Sequence, residues 1–133
     1  MRWFLKAMAH YADFSGRACR KEFWCFLSFS LITFLVLQLV AVFVLNDPNG
    51  TADDHTLKGI AMFALPVGIC LIIFTVPYLA VSVRRLHDAG FSGWWMLLHL
   101  TSLSVVVLIM HLIDSTPGPN RYGPDPLGRQ GVF

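Results

Sequence analysis

The sequence predicts an all-α membrane protein, with three transmembrane helices preceded by a short interfacial amphipathic helix. Composition, three uncharged apolar runs and the distribution of cations predict it. Of 133 residues, 56% are hydrophobic and 14% charged, where soluble domains average about 25% charged. Mean hydropathy is +0.62. A chain this small has a large surface for its volume and too few charges to cover it in water. The net charge of +2 is too small to argue for nucleic acid.

The first 22 residues are expected to lie at the cytoplasmic membrane surface. Trp3, Phe4, Met8 and Tyr11 fall at helical spacing, with Lys6, His10 and Asp13 largely opposite. That pattern suits a helix lying in the interface plane. Ser15-Gly16 then turns the chain into the first run.

The runs cover about 23–45, 59–83 and 94–113, and none contains a formal charge. A hydrocarbon core about 30 Å thick needs about 20 helical residues at 1.5 Å each, so all three runs are long enough. Strands in lipid would leave backbone groups unpaired, and a β-barrel would show alternating polarity. The runs do not alternate. The first run is too long for a signal-peptide core and is read as a retained span.

Asn46–Lys58, rich in Asn, Asp, Pro and Gly, is read as an exposed loop, and Arg84–Gly93 as a short connection. The 114–133 tail holds four of seven prolines and is read as irregular. The whole of 1–133 forms one membrane domain.

Seven of the ten Lys/Arg residues flank the first run's entry or lie between the second and third runs. The positive-inside tendency therefore puts the N-terminus in the cytoplasm of a multi-pass protein. Three spans would place the tail on the opposite side. Trp24, Trp94 and Trp95 mark the cytoplasmic interface.

Three motifs stand in order: FSGRACRKEFW at 14–24, RRLHDAGFSGWW at 84–95 and TPGPNRYGPDP at 116–126. Together they resemble the domain of unknown function 805 (DUF805) family of small bacterial inner-membrane proteins, over nearly the whole chain. The resemblance implies an integral location in the bacterial inner membrane and no defined activity. Two departures matter. Cys19 stands where an arginine is common, and the third run, with LTSLSVVV at its middle, lacks the family's frequent Ile-Pro…Gly break. The second departure favours one continuous span.

The candidate site is a cytoplasmic polar cluster: Arg17, Arg20, Lys21 and Glu22 with Arg84, Arg85, His87 and Asp88. An unpaired carboxylate beside an apolar run is costly, so Glu22 and Asp88 are expected to pair with arginines from the other segment. The structural reading is a topological clamp that also touches anionic headgroups. The functional reading is a site for an anionic ligand or a protein partner. Intramembrane candidates are His99, His111 and Gln38. His111 and Asp114 are spaced to meet on one helix face, and Arg121 and Asp125 to pair locally. Pro66 and Pro77 in the second run are expected to kink it.

Cys19, Cys25 and Cys70 show no metal-ligand spacing, and no cofactor fingerprint, nucleophile–base pair or phosphate loop is present. No cofactor or metal is expected. The leading function is a membrane scaffold or interaction protein. The alternative is a small transporter or channel subunit with a path lined by the third-run histidines, and an enzyme comes third. Expected partners are membrane lipids and either further copies of the chain or another membrane protein, not nucleic acid.

Overall fold

A computed structural model describes residues 2–45 and 52–128. Its elements are α1 (Arg2–Ala9), α2 (Arg20–Leu45), α3 (Ala52–Asp88), a 3-10 helix (Gly93–Leu100) and α4 (Ser104–Leu112). The chain forms two compact units, one of Met1–Leu27 with Val76–Phe133 and one of Ser28–Thr75.

A helix is present before α2, as expected, and is shorter than its sequence pattern suggested. It ends at Ala9, and Tyr11 lies beyond it, exposed. Ala7 is fully buried, and Phe4 stacks on Phe26 with ring centroids 6.0 Å apart. Gly16 has φ +77°, a left-handed turn that glycine adopts without a Cβ penalty. Ala18 N–H then donates to the Arg84 carbonyl at 3.0 Å, so the segment before α2 docks on the end of α3.

Among the described residues two helices, not three, are long and apolar enough to cross a membrane: Arg20–Leu45 and Leu57–Asp88. The 26 residues of α2 span about 39 Å and exceed a hydrocarbon core. Helix α3 begins at Ala52, so half of the expected 46–58 loop is helical. The helix breakers of that loop, Pro48 and Gly50, precede Ala52, and nothing between 52 and 58 stops a helix. Residues 46–51 of the loop lie outside the described residues. Helix α3 runs without interruption through Pro66 and Pro77. It ends in a Schellman arrangement, with Phe91 N–H on Leu86 O at 2.9 Å, Gly90 N–H on His87 O at 3.1 Å and Gly90 at φ +86°.

The expected third span is corrected to a two-armed hairpin. The 3-10 helix has 8 residues and α4 has 9, about 16 Å and 14 Å long, and neither reaches across a core about 30 Å thick. The break at Thr101 has a local cause. Its hydroxyl donates to the Leu98 carbonyl at 2.8 Å and accepts the Leu103 N–H at 3.2 Å, which diverts backbone groups from a continuing helix. Both arms start or end at the C-terminal end of α3. Gly93 lies against Val83 and His87, and Arg85 donates to the carbonyls of His111 and Ile113. The deepest described contact of the first arm with α3 is His99 beside Tyr78, ten residues or about 15 Å from Asp88. Leu86, Met96, Val107 and Met110 form the core between α3 and the hairpin.

The tail is irregular as expected, with one isolated bridge between Asn120 and Gly123. Its position is corrected. It returns to the end of α3 that carries Arg84, Arg85 and Asp88, and so shares that end with Arg17, as the contacts below show. Residues 129–133 lie outside the described residues.

Candidate functional site

The site assembles where the start of α2, the end of α3 and the tail meet, all inside the first unit. Its centre is Asp88, fully buried in the last turn of α3. Arg17 stands across one carboxylate oxygen, with Nε 3.0 Å and Nη2 2.9 Å from Oδ1. Arg85, one helical turn back, donates from Nη1 to Oδ2 at 2.7 Å. The Ser115 hydroxyl donates to Oδ2 as well. A single carboxylate thus accepts from two buried guanidiniums and a hydroxyl.

Arg17 does more than neutralise Asp88. Its Nη1 donates to Gly118 O at 2.7 Å and its Nη2 to Thr116 O at 2.6 Å. These bonds fasten the tail. Thr116 returns the contact: its N–H and hydroxyl both donate to the Asp88 carbonyl, at 3.1 and 3.0 Å. Asn120 Nδ2 donates to His87 O at 3.0 Å. The planar guanidinium fork explains why arginine serves here, since an ammonium cannot address a carboxylate and two carbonyls in fixed directions.

A second buried pair lies alongside. Arg84 Nη1 donates to Glu22 Oε1 at 2.9 Å, and Lys6 of α1 approaches Oε2 at 3.2 Å. Glu22 is fully buried and Arg84 nearly so. Charges withdrawn from water are tolerable only when paired this closely. The pairing thus holds α1, α2 and α3 in one register.

Of the eight residues of the sequence-expected cluster, Arg17, Glu22, Arg84, Arg85 and Asp88 are brought together. Arg20 and Lys21 are exposed instead, and Arg20 faces the exposed Asp114 at 3.7 Å. His87 stands at the edge, with Nδ1 3.3 Å from Gly16 O and its ring stacked on Tyr122 at 3.9 Å. Asp114 points to Arg20 and not to His111, which corrects the expected pairing of those two. Arg121 reaches Gly90 O at 3.4 Å and covers the Tyr122 ring at 4.7 Å. His99 and His111 sit on separate arms of the hairpin rather than on one helix axis. His111 is buried 4.3 Å from the Phe23 ring, and its Nδ1 hydrogen-bonds to Val107 O. Gln38 lies in the other unit, with Oε1 buried and no hydrogen-bond partner among the described residues. Reasoning from the residues missed Lys6, Ser115, Thr116, Gly118 and Asn120 as members. The TPGPNRYGPDP motif was the available signal for three of these, since it travels with the two charged motifs.

This arrangement of two charged motifs closed by a tail motif coincides with a family pattern. The model of the family described as "Protein of unknown function (DUF805)" matches residues 11–124. The chain belongs to this family. The match begins shortly before Arg17 and ends just after Gly123, so it contains Arg17, Asp88 and the tail residues they hold. Among similar proteins, inner membrane protein YhaH of Escherichia coli (strain K12) is 36% identical over 129 residues, covering 95% of this chain and 97% of the relative. Inner membrane protein YhaI of the same organism is 36% identical over 128 residues, covering 95% and 96%. Uncharacterized protein YiiR is 28% identical, covering 85% of each chain. No solved structure matches. The protein is an integral membrane protein of this family, and no specific activity follows from its relatives.

Proposed function

We propose that the chain is an inner-membrane scaffold or interaction protein whose cytoplasmic end is locked by the Arg17–Asp88–Arg85 and Arg84–Glu22–Lys6 pairs. One observation carries the reading: the buried charges are engaged with one another and with the tail backbone. The cluster therefore serves as a fastening rather than an open reaction site. Large apolar side chains of the Ser28–Thr75 unit face outward, with Phe43 86% and Ile72 79% exposed. They suit lipid or another helix.

Inner-membrane location is taken over from YhaH and YhaI. The cytoplasmic N-terminus rests on charge. Returning the tail to the Arg17 end adds Arg121 to the seven cations already counted there, against Lys58 at the other end. The test is the oligomeric state in lipid. A cysteine-free protein carrying Phe43→Cys or Ile72→Cys, reconstituted in nanodiscs, is expected to cross-link to a second copy and to show a dimer or higher species by native mass spectrometry. A monomer without cross-links under every condition removes self-association as the scaffold's mode.

A transport role is the second reading. It is favoured by the Tyr78 hydroxyl 3.5 Å from His99 Nε2, and by His111 Nε2, buried with no hydrogen-bond partner among the described residues. Intramembrane histidines are functional candidates. Proteoliposomes under a pH gradient test it, and absence of proton flux removes its support.

A further inference from the structure

A second feature of the same end of the protein is a cavity of about 280 Å³ between the last turns of α3, the first arm of the hairpin and the tail. Val83, Met96 and Leu97 make its apolar lining. His87, Trp94 and Tyr122 supply aromatic surface, and no carboxylate or lysine among the described residues lines it. Trp94 is 78% exposed in the first turn of the 3-10 helix, just past the end of the membrane-crossing α3, a position where tryptophan marks the headgroup boundary. The cavity therefore lies at the depth of lipid headgroups and is closed on one side by protein.

The hydrogen-bonding character of the cavity follows from His87. Its Nδ1 faces the Gly16 carbonyl at 3.3 Å. A carbonyl only accepts, so Nδ1 carries the proton, and Nε2 of the neutral ring presents a lone pair. Nε2 has no hydrogen-bond partner among the described residues. Residue 93 is a glycine, and a Cβ there would stand 3.3 Å from Nε2. The missing side chain thus leaves this acceptor uncovered toward the cavity. The guanidinium of Arg121 covers Tyr122 at 4.7 Å, on the ring that stacks on His87.

We propose that this cavity holds the headgroup of a zwitterionic phospholipid bearing a primary ammonium, of the phosphatidylethanolamine kind. The ammonium donates an N–H to His87 Nε2 and lies against the face of Trp94, which attracts cations. The lipid phosphate reaches past the cavity rim toward Arg121, whose guanidinium lies on the Tyr122 ring. The glycerol end meets Met96 and Leu97. A quaternary choline ammonium has no N–H to give Nε2, and an anionic glycerol headgroup has no cation for the aromatic face. Without a carboxylate in the lining, a free amine lacks a counter-charge, so the zwitterion is the fitting class. The inference stands independently of the scaffold reading.

The test measures lipid retention by native mass spectrometry. The full-length protein is placed in nanodiscs of equal parts phosphatidylethanolamine, phosphatidylcholine and phosphatidylglycerol. Phosphatidylethanolamine is expected to be retained about tenfold over each of the others. His87→Phe keeps a ring for Tyr122 and removes Nε2, and it should abolish the preference. Trp94→Leu changes an exposed side chain outside the buried network and should reduce it severalfold with an unchanged unfolding midpoint. If His87→Phe does not fold, the Trp94→Leu result decides. Equal retention of the three lipids by the unaltered protein overturns the proposal, as does a preference that survives Trp94→Leu undiminished.

Discussion

Arg17 and Asp88 stand 71 positions apart in the chain, and Nη2 of one lies 2.9 Å from Oδ1 of the other. Neither is accessible enough for water to replace the partner: Arg17 is 7% exposed and Asp88 0%. Each also holds the tail, Arg17 through Gly118 and Thr116 and Asp88 through Ser115 and Thr116. The two residues therefore set where the C-terminal segment lies.

Replacing Asp88 with asparagine leaves two buried guanidiniums without their carboxylate. Breaking a buried pair from one side costs about 3–5 kcal/mol. Asp88→Asn should lower the unfolding free energy of the purified protein in a denaturant titration by an amount in that range, and expose the tail to protease. Unchanged stability would show that Asp88 is not the anchor.

Because Arg17 acts as a fork, charge alone should not replace it. Arg17→Lys retains the cation and loses simultaneous donation to Asp88, Gly118 and Thr116, at about 1–3 kcal/mol. Faster hydrogen exchange confined to residues near Thr116 and Gly118 would report the loss. Protection equal to that of the unaltered protein would contradict it.

Glu22 pairs with Arg84 rather than with its neighbour Arg85. A double-mutant cycle of Glu22→Gln with Arg84→Gln should give a coupling energy of about 1–3 kcal/mol, and the same cycle with Arg85→Gln a smaller one. Equal couplings would mean the network acts as one unit with no assignable pairs.

Two crossings put the segment before α2 and the tail after α4 on one side of the membrane. Fusions of a fluorescent protein active only in the cytoplasm, placed in turn at each terminus, should both fluoresce or both stay dark. Opposite outcomes would restore the three-span arrangement.

Asp13 lies outside the membrane helices, and its carboxyl sits below the usual range. The Ser15 hydroxyl bond is the larger cause and the Ser15 backbone N–H the next. A lowered folded value means that the turn's contribution is present above the unfolded value, near 3.8, and is lost as pH falls through the folded one. NMR titration should show Asp13 moving toward 3.8 in Ser15→Ala, and an unmoved midpoint would remove the hydroxyl as the cause.

The sequence by itself determined where this protein resides. Uncharged runs of lipid-crossing length specify helices because lipid offers backbone groups no alternative partner, and that condition is local. It determined α2 and most of α3, the turn at Gly16, and the need of Glu22 and Asp88 for arginine partners, since a buried carboxylate is costly wherever its partner comes from. Only the tertiary structure decided which arginine serves which carboxylate, because Arg84 and Arg85 are adjacent in sequence and point from different sides of α3. It also decided the third run. Apolar composition reports burial in lipid or protein but not direction of travel, and the run reverses at Thr101, whose hydroxyl bonds to Leu98 and Leu103 compete with the helix. That reversal carries the tail back to Arg17, which a count of apolar residues cannot show.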